Sequence, residues 1–177
     1  ILLQRYTSLT VVEPEDKDPL QKDHVYLAPA GYHLLVERDS LSLSLDAPVI
    51  FARPSIDVLF ESVADSFGER AVAVMLTGSN EDGAAGSVAV KRAGGRVYVQ
   101  DPKTAESPVA PRAVLAAVQA DAVLDLPALA TLLAGLVARD PDSRERALEK
   151  TPAIVPAATR APARAPRAPG EAGNGIS

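Results

Sequence analysis

Residues 71–95, AVAVMLT-GSNEDG-AAGSVAVKRAGG, decide the fold. The run Ala71 to Leu76 is short, wholly apolar and bounded by Gly78, and it carries the β-branched Val72 and Val74. Length and branching together predict a buried strand rather than a helix. Next comes the polar loop Gly78-Ser79-Asn80-Glu81-Asp82-Gly83, then a small-residue helix that stops at Gly94-Gly95. Asp82 therefore stands where a strand hands over to a helix, and in open α/β sheets ligands and reactive groups gather at that end of the strands. It has two readings. One is an ordinary N-cap of the helix that follows it, accepting orphan backbone N–H groups. The other is a functional carboxylate.

Working outward, Val97 to Gln100 and Ala122 to Leu124 are further apolar strand candidates, each preceded by a connector long enough to hold a helix. Long helical connectors are what parallel strands need. Pro111 and Pro127 read as prolines at the first position (N1) of apolar helices running through Val114, Leu115 and Val118 and through Leu129, Leu132, Leu133 and Leu136. Upstream, Ile56, Leu59, Phe60, Val63, Ala64 and Phe67 form one helical stripe, with Ser55 as its N-cap and Gly68 as its stop. Short strands are expected at Ser8 to Val12, Val25 to Ala28, His33 to Arg38 and Leu41 to Leu45, the last two as an antiparallel hairpin. The fold class is α/β: a doubly wound, mostly parallel sheet with a small antiparallel flap, in a Rossmann-like three-layer arrangement.

The composition bounds the chemistry. The chain has 177 residues, 47% of them hydrophobic, and no cysteine, which excludes disulfides, thiol nucleophiles and thiolate metal sites. Two histidines without a matching carboxylate spacing define no metal site, and no cofactor motif is present. Net charge is −5, and an acidic body speaks against a nucleic-acid face. No apolar run of about 18 residues is long enough for membrane insertion. Residues 139–150 are charged and read as an extension of the last helix; residues 151–177 are rich in Ala, Pro and Arg and read as a disordered tail. The chain starts with Ile1 and its one methionine is Met75, so it reads as cut from something longer.

Several segments together resemble the chemotaxis protein-glutamate methylesterase family (CheB). They are Leu76-Thr77-Gly78-Ser79-Asn80-Glu81-Asp82-Gly83-Ala84, His24-Val25-Tyr26-Leu27-Ala28-Pro29 with His33-Leu34-Leu35-Val36, Arg53-Pro54-Ser55-Ile56-Asp57-Val58-Leu59-Phe60, and Gln100-Asp101 with Pro111-Arg112-Ala113. The order and spacing of the four carry the resemblance, which covers about residues 8–138 and makes residues 1–138 the C-terminal part of a catalytic domain. It implies a cytoplasmic Ser-His-Asp hydrolase that demethylates chemoreceptor glutamate methyl esters, with related glutamine deamidation, in a protein that also carries a receiver or other signalling domain. Asp82 matches the triad aspartate. The resemblance puts the serine and histidine upstream of Ile1, so the chain as given is expected to be inactive alone.

Thr77, Gly78, Ser79, Asn80 and Gly83 are expected to shape the loop, and His33 to support the cleft rim. A substitute triad of His33 with Ser79 or Ser107 is the alternative within the chain. Asn80 replaces a Gly often found in relatives, and is expected to take over a left-handed backbone position; Val109-Ala110 stands where relatives read Gly-Met. Two readings of other classes stay open: a non-catalytic adaptor for receptors or signalling partners, and a phosphate- or nucleotide-binding module on the Gly78 to Gly86 turn.

Overall fold

The computed structural model describes residues 2–137; the expected charged extension (139–150) and tail (151–177) lie outside the described residues. The strands are β1 (Thr10–Val12), β2 (His24–Tyr26), β3 (His33–Val36), β4 (Leu41–Ser44), β5 (Val72–Met75), β6 (Arg96–Gln100) and β7 (Ala122–Leu124). The helices are α1 (Ile56–Phe67), α2 (Ala84–Arg92), α3 (Val109–Ala117) and α4 (Leu126–Val137).

The expected β-α-β-α-β-α unit is present: β5, β6 and β7 lie side by side and parallel, with Val72 opposite Arg96 and Tyr98 opposite Ala122. Alternation along β6 divides the interior. Val97 and Val99 join Ala73, Met75, Val90 and Val114 in one core beneath α1, α2 and α3, while Tyr98 joins Leu124, Leu129 and Leu132 under α4. A sheet with helices on both faces is the expected three-layer arrangement. Each fully buried valine contributes on the order of 1.5–3 kcal/mol through the apolar surface it removes from water.

Other local readings need correcting. β3 and β4 form the expected antiparallel hairpin, but as their own two-stranded sheet. β2 pairs in parallel with β1, through a connector that contains no helix. Pro111 occupies the third position of α3 and Pro127 the second of α4, rather than the first; both remain in the first turn, where a missing N–H costs nothing.

Two glycines bring β5, α1 and α2 together around the loop. Gly83 has φ +100°, and a Cβ there would fall 2.2 Å from Met75 Cε and 2.8 Å from Ile56 Cγ2. At Gly86 a Cβ would lie 2.6 Å from Phe60 Cβ and 2.9 Å from the Asp57 carbonyl oxygen. Only glycine lets α2 lie this close against α1.

Candidate active site

Asp82 is buried at the C-terminal end of β5, yet it does not cap the helix that follows it. Gly83 holds the N-cap position of α2. The Asp82 carboxylate reaches across to the start of α1: Oδ1 accepts from Ser55 Oγ at 2.7 Å and from the Asp57 N–H at 3.0 Å, and Oδ2 accepts from the Ile56 N–H at 2.8 Å. The favour is returned by Asp57, whose Oδ1 accepts from the N–H groups of Gly83 at 2.9 Å and Gly86 at 2.7 Å, at the start of α2. The first turn of α1 is thus capped by a carboxylate from the loop that leads into α2, and the first turn of α2 by a carboxylate of α1. Both carboxylates sit at the positive end of a helix dipole, where an anion is stabilised. Ser55 is the N-cap of α1 by position, but its hydroxyl makes no cap bond to its own helix and serves Asp82 instead.

His33, expected at the cleft rim, is buried at 1% exposure. Its Nδ1 accepts the Ser55 N–H at 3.2 Å, so the proton sits on Nε2, which donates to the Ala47 carbonyl at 3.2 Å. With both ring nitrogens committed to backbone groups, His33 has no nitrogen left to activate a hydroxyl. Its task is to hold Ser55, which holds Asp82. The substitute triad does not assemble: Ser79 is exposed on the loop, and Ser107 Oγ donates to the Gly78 carbonyl at 3.0 Å.

Thr77 and Gly78 tie the loop to the segment after β6. The Thr77 N–H donates to Oε1 of buried Gln100 at 2.9 Å, Ser107 N–H donates to Thr77 Oγ1 at 2.8 Å, and Gly78 pairs with Pro108 in a short parallel bridge. A Cβ on Gly78 would meet Ala110 Cβ at 2.8 Å, so small Ala110 suits this contact. Asn80 is not in the left-handed region. It steadies the turn in another way, its Oδ1 accepting the Asp82 N–H at 3.2 Å.

The geometry removes the phosphate-site reading, because the N–H groups at the start of α2 already serve Asp57. It leaves a rigid buried carboxylate. A carboxylate oxygen accepts about two hydrogen bonds; Oδ1 has two, while Oδ2 takes one among the described residues. Sequence reasoning singled out Asp82 but missed Ser55 and Asp57 as its partners; the signal was present in Arg53-Pro54-Ser55-Ile56-Asp57, read there only as a helix start. No group of three or more His, Cys, Asp or Glu among the described residues is arranged to hold a metal.

Comparison with known proteins bears on the family and the fold. A protein-family model described as CheB methylesterase matches residues 1–133. A Leptospira interrogans protein provisionally named protein-glutamate methylesterase/protein-glutamine glutaminase is 42% identical over 132 residues, covering 74% of this chain and 68% of that protein. A Bordetella parapertussis protein-glutamate methylesterase/protein-glutamine glutaminase is 40% identical over 129 residues, covering 70% of this chain but 37% of the relative. Among solved structures, the Thermotoga maritima CheB methylesterase catalytic domain superposes with a TM-score of 0.71 at 27% identity, covering 84% of this chain and 73% of that one. The strand-loop-helix turn carrying Asp82, the three-layer frame beneath it and these matches lead to one assignment: the chain belongs to the CheB methylesterase family.

Proposed function

We propose that this chain forms the part of a protein-glutamate methylesterase that supplies the aspartate of its Ser-His-Asp triad, and that Asp82 is that aspartate. The observation that carries the reading is the cradled carboxylate, fixed by three donors in the turn that follows β5. The serine and histidine come from the portion of the protein that the family resemblance puts ahead of Ile1.

The chemistry follows from that division. The serine Oγ attacks the carbonyl carbon of a glutamate γ-methyl ester while the histidine takes its proton. The histidine then returns the proton to the departing methoxide, releasing methanol and leaving an acyl-serine. Water, deprotonated by the same histidine, hydrolyses the acyl-serine to glutamate and free serine. Throughout, Asp82 Oδ2 accepts the other imidazole N–H, keeps the ring in one tautomer and stabilises the imidazolium. Because its donors are backbone groups and one buried hydroxyl, the carboxylate needs little reorganisation when that positive charge develops.

The substrates we assign are methylated glutamates of chemoreceptors, with glutamine deamidation as a related acyl transfer, in a cytoplasmic protein that works with a receiver or other signalling domain. No helix among the described residues is long and apolar enough to cross a membrane. The test is methanol release from a methylated receptor preparation by the full-length protein. Release supports the esterase reading; a well-folded protein that binds the receptor and releases no methanol replaces it with the adaptor reading.

A further inference from the structure

The loop that joins β5 to α2 carries Asp82 near its far end, and its two roots are fastened to different parts of the molecule. The far root is tied to α1, through the bonds of the Asp82 carboxylate to Ser55, Ile56 and Asp57. The near root, Thr77-Gly78, lies past the last rung of the β5–β6 ladder, which ends with Met75 opposite Val99. There a side chain continues what the ladder stops doing. Gln100, the last residue of β6 and only 2% exposed, accepts the Thr77 N–H on Oε1 at 2.9 Å, and its Nε2 donates to the Thr104 carbonyl at 3.2 Å.

The amide is matched to its place. A backbone N–H can only donate and a carbonyl can only accept, so the side chain between Thr77 and Thr104 must offer one acceptor and one donor. An ionised carboxyl lacks the donor, and an apolar side chain lacks both. From Thr104 the chain runs on to Ser107, which closes on the same root. Its N–H donates to Thr77 Oγ1 at 2.8 Å, and its carbonyl accepts the Gly78 N–H at 3.0 Å. Gln100 thus holds the near root twice, directly at Thr77 and through the segment that presents Ser107. Only four residues separate Thr77 from Asp82, so displacement of the near root reaches the backbone of Asp82 while α1 retains its carboxylate.

We propose that Gln100 is a positioning residue of the esterase: by spanning Thr77 and Thr104 it fixes the near root of the loop, and with it the direction in which the Asp82 carboxylate meets the catalytic imidazole. This inference rests on the esterase reading. The bond between Asp82 and the imidazole strengthens as the ring gains charge in the transition state, so slack in the loop lowers kcat and leaves KM unchanged. A carboxylate beside an imidazolium also favours its charged form. With that carboxylate misaligned the ring loses its proton at lower pH, and the acidic limb of the kcat/KM profile moves down.

The experiment measures methanol release from a methylated receptor by full-length wild type, Gln100→Met, Gln100→Glu and Leu132→Ala, with melting temperatures. Leu132 lies in the other core, under α4, so its truncation lowers stability without touching the loop. In Gln100→Met, kcat should fall about tenfold or more with KM within about twofold, and the acidic limb should move down by roughly half a pH unit. In Gln100→Glu the ratio of its rate to that of wild type should climb as pH falls, because the introduced carboxyl regains a donor on protonation. Leu132→Ala should melt lower yet keep kcat per folded molecule and the limb in place. A folded Gln100→Met with kcat within about twofold of wild type, or a loss that Leu132→Ala reproduces with the limb unmoved, overturns the proposal. Where Gln100→Met does not fold, a ratio for Gln100→Glu that is flat with pH overturns it. A wild-type protein that releases no methanol sinks the esterase reading, and the positioning role with it.

Discussion

Replacing Asp57 tests the reciprocal capping of α1 and α2. Its Oδ1 satisfies the N–H groups of Gly83 and Gly86, both buried, at 2.9 and 2.7 Å. Asp57→Ala removes both bonds and leaves two buried donors without a partner. Hydrogen bonds to charged groups contribute about 1.5–3 kcal/mol each, and an orphaned buried donor costs about 1–3 kcal/mol. These effects overlap rather than add, so the expected loss is about 3 kcal/mol, or roughly 10 °C in melting temperature for a domain of this size. Asp57→Asn keeps an acceptor oxygen at the same place and gives up only the charge at two helix N-termini, a loss of about 1 kcal/mol. The assay is thermal and urea unfolding of wild type and both variants. In addition, Asp57→Ala and Asp82→Ala should combine non-additively, because they hold the same pair of helices. An Asp57→Ala variant that loses less than about 1 kcal/mol, or one no worse than Asp57→Asn, would refute the cross-capping argument.

Gly86→Ala should destabilise by about 3 kcal/mol despite the better helix propensity of alanine, because the new Cβ meets the Asp57 carbonyl oxygen and Phe60; chemical unfolding checks this, and a neutral variant would show that α1 and α2 can separate freely. His33→Phe removes the acceptor for the Ser55 N–H and the donor to Ala47. Esterase kcat in the full-length variant should fall while substrate affinity holds, since Ser55 positions Asp82; a change in KM alone would contradict the link. At the surface, Lys17 Nζ donates to Glu37 Oε1 at 2.7 Å and, with the hydroxyls of Ser42 and Ser40, holds the Glu37 carboxyl down at about 2, against an ordinary 4.5. The unfolded chain binds the extra proton between those values, so this contribution is full above pH 4.5 and lost as pH falls toward 2. Acid titration of Glu37→Gln should accordingly show a shallower decline over that window, and an unchanged slope would remove Glu37 from the acid limb.

The periodic part of the sequence was legible because burial writes itself into it. Val97 to Gln100 are buried on both faces of the sheet, and the apolar runs at Val72 to Met75, Arg96 to Gln100 and Ala122 to Leu124, with their long connectors, specify a parallel sheet. Partners distant in sequence were not legible. Asp82 looks like a cap for α2 because its sequence neighbours are that helix's first residues, whereas its donors lie 25 to 27 positions upstream. Ser55 looked like a self-sufficient cap for the same reason. The parallel pairing of β1 with β2 goes against the rule that parallel neighbours need a helical crossover, and nothing in the loop from Glu13 to Asp23 announces it. The Val49 to Ala52 turn was invisible because its central residues, Ile50 and Phe51, are the opposite of turn formers.

Asp82→Asn in the full-length protein is the most direct test of the central claim. The Asn amide would set a donor against the Ile56 N–H, so the melting temperature is recorded alongside to establish that the variant is folded. If Asp82 orients and stabilises the catalytic imidazole, kcat for methanol release from a methylated receptor falls by about 10⁴ while a folded protein remains. A folded variant that keeps kcat within about tenfold of wild type would contradict the account, and leave Asp82 as the structural cap of α1 alone.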